Sequence, residues 1–522
     1  MSDPFYITTA INYPNGRPHI GHAYEGIATD VMARFQRLMG RDVRFVTGTD
    51  EHGLKMDQTA RNMGRATIDL ADEMSGHFRD MADQLNLSYD EFVRTTEPRH
   101  HEASVALWKR MEAAGDLYLD RYEGWYSVRD EAFYDESELD EGEGGEKLSP
   151  QGTPVEWTAE ETWFFRLSRY QDKLLALYRD NPDFIRPESR RNEVLRFVEA
   201  GLKDLSVSRT SFDWGVPVPD SDGHVMYVWV DALTTYMTGV GFPDSEGAQF
   251  SQYWPADIHM IGKDIVRFHA VYWPAFLMSA DLPLPKQIFG HGFLLARGGE
   301  KMSKSAGNVV DPMDLAEQFG VDNLRYFFMR EIAFGQDGSY SPEAIVTRAN
   351  AELANSFGNL AQRTLSMIAK NMEGKLEQFD PAEVDAELQG TVAIACRTQL
   401  PREFEQLAFS RGIEDWIRAV YACNQYVDEQ APWALRKTDP ERMKIVLQTL
   451  FVALRDLSIA IQPVVPEKAA ALLDQLGIPT DERSYSALND TGWYQRLVES
   501  GFTVAKPTPI FPRLELPEEE AA

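Results

Sequence analysis

The distribution of apolar residues at the start of the chain predicts a strand, a helix and a second strand. Residues 5–11 form an apolar run rich in β-forming side chains, which is typical of a buried strand. A helical period follows from His19 to Gly40, which is a suitable helix stop, with its apolar positions at Ile20, Ile27, Val31, Phe35 and Leu38. Residues 43–48 are again strand-like, so the three elements open a parallel α/β sheet.

Residues 116–225 follow a different pattern and are predicted to form an insertion within the α/β domain. Strand-like aromatic pieces come first, and seven acids without a base between Asp135 and Glu146 indicate a solvated loop. Helical pieces are predicted around 163–180 and 187–204.

The α/β pattern resumes after the insertion, where predicted strands at 225–230, 257–261 and 287–293 alternate with helices. From 343 to about 475 nearly every segment has a helical period, which is typical of a helix bundle. The tail, 503–516, is rich in proline, and we expect it to be extended and to pack back onto another domain.

The predicted fold is therefore α/β, with a Rossmann-type parallel-sheet domain split by an insertion and followed by an all-α helix bundle. The predicted segments are 1–115 and 226–290 for the two halves of the sheet domain, 116–225 for the insertion, 291–342 for a connecting region with a lysine-containing loop, 343–502 for the bundle and 503–522 for the tail.

Length and charge narrow the class of protein. A chain of 522 residues is too long for one core and predicts several domains. The 52 Lys and Arg residues against 82 Asp and Glu residues give a net charge of −30. That balance argues against a protein that coats nucleic acid or anionic membrane by bulk attraction, but it permits a local basic groove.

Cysteine usage and hydropathy indicate the compartment. Cys396 and Cys423 are the only cysteines, which excludes a four-thiolate zinc site and does not indicate a disulfide framework. The first residues lack the pattern of a signal peptide, and no apolar run approaches the ~20 residues that span a bilayer. We expect a soluble cytoplasmic protein with no membrane partner.

The first candidate motif, His19-Ile20-Gly21-His22, lies at the predicted junction of turn and helix. A helix N-terminus carries unpaired N–H groups and a partial positive charge, which suit phosphate. Gly21 leaves room for a flat ring, and two imidazoles three residues apart can both donate to phosphate oxygens. Taken alone, the tetrapeptide also fits an ordinary helix start with two polar histidines.

The second candidate motif, Lys301-Met302-Ser303-Lys304-Ser305, lies among glycines at 298, 299 and 307. Two lysines and two hydroxyls in such a loop can close over a polyphosphate and neutralise charge as pyrophosphate leaves. Taken alone, the run also fits a solvated basic turn.

Together, the two motifs resemble the signature pair of the class I aminoacyl-tRNA synthetases. Further segments resemble the methionyl-tRNA synthetases within that class, namely Ala10–Gly16, Gly48–Gly53, Tyr227–Ala232, Gly262–His269 and Asp428–Trp433. The resemblance runs from about residue 5 to at least 470 and is weakest in 136–160 and in the tail.

The resemblance implies a methionine–tRNA ligase that uses ATP and Mg²⁺ to form methionyl-adenylate and transfers it to the 3′-terminal adenosine of tRNA(Met). The residues that it implies for ATP binding are His19, Gly21, His22, Lys301, Ser303 and Lys304. The two histidines and the two lysines would be catalytic, and Lys304 would contribute more than Lys301.

The resemblance also implies an aromatic methionine site with a few polar anchors, as suits an uncharged, polarizable side chain. Its residues would be Ile11, Tyr13, Asp50, Trp229, Ala232, Tyr236, Asp264, Phe268 and His269. Asp50 would bind the substrate ammonium. Without the family, these aromatics also fit core packing, and Asp50 also fits a strand-end turn.

For the bundle, the resemblance implies that Asn355, Asn359, Arg363 and Trp433 read the CAU anticodon by edge hydrogen bonds and stacking. Without the family, a tryptophan in a bundle is more often a core residue. We also expect bound tRNA to use local basic patches, which are predicted at Arg186, Arg190, Arg191, Arg196 and Lys203 and around Lys301 and Lys304.

The insertion departs from the pattern of relatives that carry a zinc knuckle. Residues 126–131 stand where a Cys-x-x-Cys pair would lie, so no structural zinc is expected. The chain also lacks a C-terminal β-barrel extension that some relatives use to dimerise, and we expect a monomer. Two alternatives stay open, another class I specificity and a tRNA-binding relative without catalysis.

Overall fold

A computed structural model describes residues 3–129, 132–142, 145–295 and 310–516. The first part of the chain confirms the predicted strand, helix and strand. It contains β1 (Pro4–Thr8), α1 (Ile20–Leu38), β2 (Asp42–Thr49), α2 (Leu54–Asn62), α3 (Thr67–Gln84), β3 (Glu91–Arg94) and α4 (Pro98–Ala113).

The segment predicted as an insertion is largely antiparallel β-structure. It contains β4 (Leu117–Ser127), β5 (Ala132–Tyr134), β6 (Asp140–Glu141), β7 (Lys147–Leu148), β8 (Glu156–Phe165), α5 (Gln171–Asp180), β9 (Ile185–Arg186), α6 (Glu188–Glu199), β10 (Leu205–Ser206), β11 (Ser208–Arg209) and β12 (Val225–Met226). The helix predicted from 163 begins only at Gln171, because the aromatic residues 163–165 complete β8. The described residues of the acidic stretch are mostly exposed, and the short hairpin β6–β7 begins within it and ends just after it.

The second part of the α/β domain contains α7 (Val228–Thr238), α8 (Ala248–Tyr253), β13 (Ile258–Gly262), α9 (Trp273–Ser279), β14 (Ile288–His291), β15 (Leu294–Leu295), α10 (Pro312–Phe319), α11 (Val321–Glu331) and β16 (Gly338–Ser339). The predicted strands at 257–261 and 287–293 are confirmed. The strand predicted at 225–230 is wrong beyond Met226, because α7 begins at Val228. This helix is buried on nearly all sides, and a short apolar run does not distinguish a buried helix from a buried strand.

Six parallel strands form the main sheet in the order β3-β2-β1-β13-β14-β9. The chain moves from β1 to one side through β2 and later returns to the other side at β13. Such a reversal creates a crevice at the carboxyl ends of the strands, where open α/β sheets bind ligands. The edge strand β9 comes from residues 185–186, so the predicted insertion at 116–225 is not separate from the sheet.

The two faces of the sheet pack against different partners. On one face, Phe5 and Ile7 belong to a core that includes α1 and continues into the helices after residue 342. On the other face, Tyr6 belongs to a core shared with α4, α7 and the insertion. The alternation of Phe5, Tyr6 and Ile7 between faces follows from the two-residue period of a strand.

The predicted helix bundle is confirmed. Its α-helices are α12 (Pro342–Arg348), α13 (Asn359–Asn371), α14 (Glu383–Ile394), α15 (Leu400–Glu405), α16 (Phe409–Gln430), α17 (Pro432–Thr438), α18 (Pro440–Ile461), α19 (Pro466–Gln475) and α20 (Trp493–Glu499). The tail packs onto this bundle, since Ile510 and Phe511 are buried and Phe511 contacts Phe357.

A buried ion pair joins α1 to the bundle. The Arg325 guanidinium bonds Asp30 of α1 at 2.6 Å and donates to the carbonyl of Val464 at 3.1 Å, and neither charged side chain is exposed. Although burial opposes ionisation, Arg325 and Arg34 hold the pKa of Asp30 below its ordinary value. Breaking such a pair would leave a buried charge, so the position of α1 relative to the bundle is fixed.

Among the described residues, no helix is both long and apolar enough to span a bilayer.

Candidate active site

The first turn of α1 is capped by its two histidines. His19 is the N-cap residue, and its Nδ1 accepts the N–H of Gly21 at 3.1 Å. His22 stands three residues later, and its Nδ1 accepts the N–H of His19 at 3.1 Å. This reciprocal arrangement is a capping box in which imidazoles replace the usual hydroxyl and carboxylate. The rings stack with their centroids 3.8 Å apart.

The cap determines which nitrogen of each imidazole carries hydrogen. Because both Nδ1 atoms accept backbone N–H groups, the hydrogen of each neutral ring lies on Nε2. Each ring therefore carries its donor on the nitrogen that the cap does not use. Gly21 is required by the same cap, because a Cβ there would lie 2.9 Å from the His19 ring.

A cavity of about 390 Å³ opens at the carboxyl ends of β1, β2, β13 and β14. His19, Gly21 and His22 line it on one side, and Asp50 and Asp264 line it at the ends of β2 and β13. Other predicted site residues that line this cavity are Ile11, Tyr13, Trp229 and Phe268. The crevice created by the strand order is thus the place where the predicted residues meet.

A narrow slot of about 20 Å³ adjoins this cavity. Ile11, Asp50 and Trp229 line both spaces, so the slot leads on from the cavity. The slot also contacts the predicted residues Ala232, Tyr236 and His269. Among the described residues that line the slot, Asp50 is the one acid and none is Lys or Arg, so the slot suits an uncharged side chain next to a cation.

The inner end of the slot is polar but neutral. His269 donates from Nδ1 to the carbonyl of Ile265 at 2.9 Å, so its Nε2 accepts the hydroxyl of Tyr236 at 2.6 Å. The hydroxyl of Tyr6 in turn donates to the carbonyl of Tyr236 at 2.5 Å. Burial lowers the pKa of His269 to about 4 and raises that of Tyr236, so both side chains are neutral near pH 7.

An aromatic stack forms the wall between cavity and slot. The rings of Trp229 and Phe268 lie 3.9 Å apart and nearly parallel, at 6°. Trp229 is in the first turn of α7, and Phe268 begins a π-helical segment, Phe268–Tyr272. π-Helical turns frequently occur at functional sites, because the extra residue per turn redirects side chains.

Two residues of the cavity wall were missed by the sequence analysis. Glu25 accepts the N–H of Ala10 at 2.9 Å and bonds His291 at 2.7 Å, so it ties α1 to β1 and β14. His291 also donates from Nδ1 to the carbonyl of Gly292 at 2.8 Å. The sequence contained a signal for both residues. Glu25 follows His22 by three residues, and His291 lies near the carboxyl end of a predicted strand.

His291 is charged because both of its ring nitrogens donate. Burial favours the neutral ring, but the hydrogen bond and charge of Glu25 outweigh it and raise the pKa of His291 above its ordinary value of about 6.5. The pair therefore stabilises the fold fully below about pH 6.5 and loses that contribution as pH rises through the folded pKa.

We predict that Glu25→Gln lowers the free energy of unfolding by about 3 kcal/mol at pH 6 and by less at pH 9. Denaturant unfolding of both proteins at the two pH values measures this difference directly. A difference that stays constant between pH 6 and pH 9 would contradict the assignment of a charged His291.

The predicted residues Lys301, Ser303 and Lys304 lie outside the described residues. The chain before that segment lines the cavity, and the chain after it contacts the first turn of α1. Leu294 lines the cavity and pairs with Gly338, and the carbonyl of Val310 accepts the N–H of Ile20 in α1 at 3.1 Å. The roles predicted for the two lysines stay predictions.

Comparison with known proteins agrees with the site. Residues 5–365 match the family described as tRNA synthetases class I (M), and residues 380–521 match the anticodon binding domain of methionyl tRNA ligase. The methionine–tRNA ligase of Rhizobium meliloti (strain 1021) is 57% identical over 99% of both chains, and that of Mycobacterium bovis is 55% identical over 99% of both chains. The chain belongs to the methionyl-tRNA synthetase family.

Solved structures agree with this assignment of the methionyl-tRNA synthetase fold. The Mycobacterium tuberculosis methionyl-tRNA synthetase bound by methionyl-adenylate matches with a TM-score of 0.92 and 54% identity, covering 98% of this chain and all of that one. The free form of the same enzyme matches with a TM-score of 0.87 and 51% identity over 99% of both chains. The sequence-based prediction of the family is therefore confirmed, and another class I specificity is no longer needed to explain the motifs.

The residues that the family resemblance implies for the anticodon lie at one surface of the bundle. Asn355 belongs to the π-helical segment Ala349–Gly358, and Asn359 and Arg363 follow it at four-residue steps into α13. Both asparagines are exposed. Trp433 is 47% exposed in the first turn of α17, and the Arg363 guanidinium lies 5.2 Å from its ring centroid. Core packing therefore does not explain this tryptophan.

The antiparallel lobe of this synthetase is held by packed side chains where the sequence lacks cysteines. Trp125 contacts Trp157 edge to face at 5.4 Å, and Lys147 lies 4.3 Å from the Trp125 ring. Ser127 bonds Thr153 at 2.6 Å across the lobe. In the part of the chain that the structure describes, no three His, Cys, Asp or Glu side chains group as metal ligands. The expectation of a zinc-free lobe stays a prediction.

Proposed function

We propose that the cavity joins methionine to ATP and that the exposed face of the bundle holds tRNA(Met) by its anticodon. One observation supports the first half above all. All nine side chains predicted for methionine line either the cavity or its slot, and His19, Gly21 and His22 line the same cavity.

Methionine would enter with its side chain in the slot and its ammonium at Asp50. The slot suits the thioether, since its walls are aromatic and aliphatic and its inner hydroxyl and imidazole are neutral. The methionine ammonium would lie at the carboxyl end of β2 and pair with Asp50. The substrate carboxylate would then lie in the cavity, toward the start of α1.

ATP would occupy the cavity with its phosphates at the N-terminus of α1. The helix dipole and the Nε2–H groups of His19 and His22 would stabilise negative charge there. Lys301, Ser303 and Lys304 would add donors and cations as pyrophosphate separates. Mg²⁺ would enter with ATP, bound mainly by phosphate oxygens and water.

The reaction follows from this placement. A carboxylate oxygen of methionine attacks the α-phosphorus of ATP, the bond to the β-phosphate oxygen breaks, and pyrophosphate leaves with its electron pair. The terminal 2′-hydroxyl of the tRNA then attacks the acyl carbon, loses its proton and releases AMP. The residues contribute position and charge stabilisation in both steps.

The bundle would select the tRNA by single-stranded bases. Trp433 offers an exposed ring for stacking, and Asn355, Asn359 and Arg363 offer edge donors and acceptors beside it. We also propose, from the family resemblance, that one copy of the chain carries both functions and acts as a monomer in the cytoplasm.

We predict that Asp50→Asn raises the KM for methionine in ATP–pyrophosphate exchange about 100-fold, because the ammonium loses a charged partner. The KM for ATP should change by less than about 3-fold. Asp57→Asn is the matched control, since Asp57 is also buried and pairs with Arg61 but lines neither cavity nor slot. A methionine KM that is unchanged in Asp50→Asn would contradict the placement of the substrate.

A further inference from the structure

Behind the slot, one carboxylate is shared by two buried histidines. Asp231 accepts from Nδ1 of His52 and from Nε2 of His100, each at 2.6 Å. The Asp231 side chain is 1% exposed, and both imidazoles are buried. Although burial opposes ionisation, the charge of His52 and the hydrogen bonds from both rings hold the pKa of Asp231 well below its ordinary value.

These three residues come from elements on opposite sides of the slot. His52 follows β2 and is two residues from Asp50, which lines both the cavity and the slot. Asp231 is in the first turn of α7, between Trp229 and Ala232, which also line the slot. The bond between His52 and Asp231 therefore joins the slot wall that carries Asp50 to the slot wall that carries Trp229.

The remaining contacts hold both walls still. His100 belongs to α4 and bonds Asp231 in the first turn of α7 and the Thr238 hydroxyl, at 3.0 Å, in its last turn. On the other side, the indole N–H of Trp214 donates to the carbonyl of Glu51 at 2.6 Å, next to His52. Any rotation of α7 would separate a buried carboxylate from its donors, which carries a large penalty.

None of the three residues lines the cavity or the slot. They act through their neighbours, and the slot is narrow enough that a small shift of α7 would change its width. We propose that Asp231, held by His52 and His100, is a positioning residue that sets the methionine slot by fixing α7 against the end of β2. This inference rests on the proposed function of the slot.

The ATP side of the cavity supplies the contrast that tests the inference. His19, His22 and the wall formed by Glu25 and His291 lie on α1 and β14, and they make no hydrogen bond to Asp231, His52 or His100 among those found in the described residues. A loss of general stability would affect both substrates, whereas a change in the slot would affect methionine alone.

The test measures the KM for methionine and for ATP in ATP–pyrophosphate exchange by Asp231→Asn. We expect the KM for methionine to rise about 10- to 100-fold, as a displacement of the walls by a fraction of an ångström would produce, and the KM for ATP to stay within about 2-fold. Asp116→Asn is the matched control. Asp116 is also buried and joins separate elements through Tyr170 and Ser279, but it lines neither the cavity nor the slot.

A second pair of variants tests the same bond if Asp231→Asn does not fold. His52→Asn keeps a donor at the position of Nδ1 and should stay within about 3-fold of wild type, whereas His52→Leu removes the donor and should reproduce the rise in the methionine KM. Equal rises for both substrates, or an unchanged methionine KM in His52→Leu, would overturn the inference. Wild-type exchange that does not respond to methionine would instead overturn the proposed function.

Discussion

Replacing His22 with alanine is expected to slow ATP–pyrophosphate exchange by about 100- to 1,000-fold while the protein stays folded. The residue lies in the first turn of α1 and lines the cavity, and its Nδ1 accepts the N–H of His19, so the ring carries its hydrogen on Nε2. A donor fixed in this way stabilises charge that develops on the phosphate in the transition state, and it needs no reorganisation to do so. The expected loss therefore appears in kcat.

The capping role of His22 is separated from its catalytic role by His22→Glu. Glutamate is a usual residue at this position of a capping box, so it should restore the stability of about 1 kcal/mol that alanine loses. It should not restore the exchange rate, because an ionised carboxylate only accepts hydrogen bonds and cannot donate to a phosphate oxygen. His77→Ala is a control on α3, next to the Phe78 that contacts His22. Recovery of full exchange by His22→Glu would show that His22 serves only the helix cap.

Replacing Trp433 with alanine is expected to lower kcat/KM for tRNA charging by about 10- to 100-fold, which corresponds to the loss of one stacked base. Exchange of pyrophosphate without tRNA should stay within about 2-fold of wild type. Trp433 is about half exposed, and the Arg363 guanidinium lies over its ring, so little core packing is lost on truncation. Steady-state charging of tRNA(Met) and tRNA-independent exchange, measured on the same preparation, compare the two effects.

Trp433→Phe is the conservative variant for this surface, because it retains an aromatic face for stacking. It should recover most of the charging activity. A variant Trp433→Ala that loses exchange and charging to the same extent would assign a structural role to this residue. An unchanged rate of charging would exclude Trp433 from the anticodon surface.

The sequence predicted the fold best where a local period was strong. The helix from Ile20 to Leu38 and the bundle after residue 342 follow from apolar spacing that only a helix satisfies. The strand predicted at 225–230 is wrong beyond Met226 because five of these six residues are buried, in β12 and α7 alike, and such a run lacks the alternation that would distinguish a strand from a helix. The sequence did not predict the edge strand β9, because a strand of two residues is too short to show the alternation of apolar and polar side chains.

The candidate site was predicted by motifs rather than by geometry. The spacing of His19 and His22 indicated a phosphate-binding helix start, but it did not reveal that the two rings cap each other. The ion pair of Glu25 with His291 and the network around Asp231 join residues far apart in the chain. Such pairs depend on how β-strands and helices come together, which no local period encodes.

The structure shows that part of the predicted basic patch is neutralised by neighbouring acids. Arg190, Arg191 and Lys203 were predicted to contribute a basic patch, but they form ion pairs with Glu193, Glu188 and Asp135. In a chain with a net charge of −30, such pairing leaves little bulk attraction for nucleic acid. Selection of a tRNA by stacked and hydrogen-bonded bases suits this balance better than selection by charge.

ATP–pyrophosphate exchange by the purified protein, with each amino acid supplied singly, tests most directly whether the cavity and its slot activate methionine. We predict exchange that depends on methionine and that leucine and cysteine do not support at comparable concentration. Exchange stimulated by leucine or cysteine but not by methionine would contradict the specificity of the slot, and no exchange with any amino acid would contradict catalysis itself.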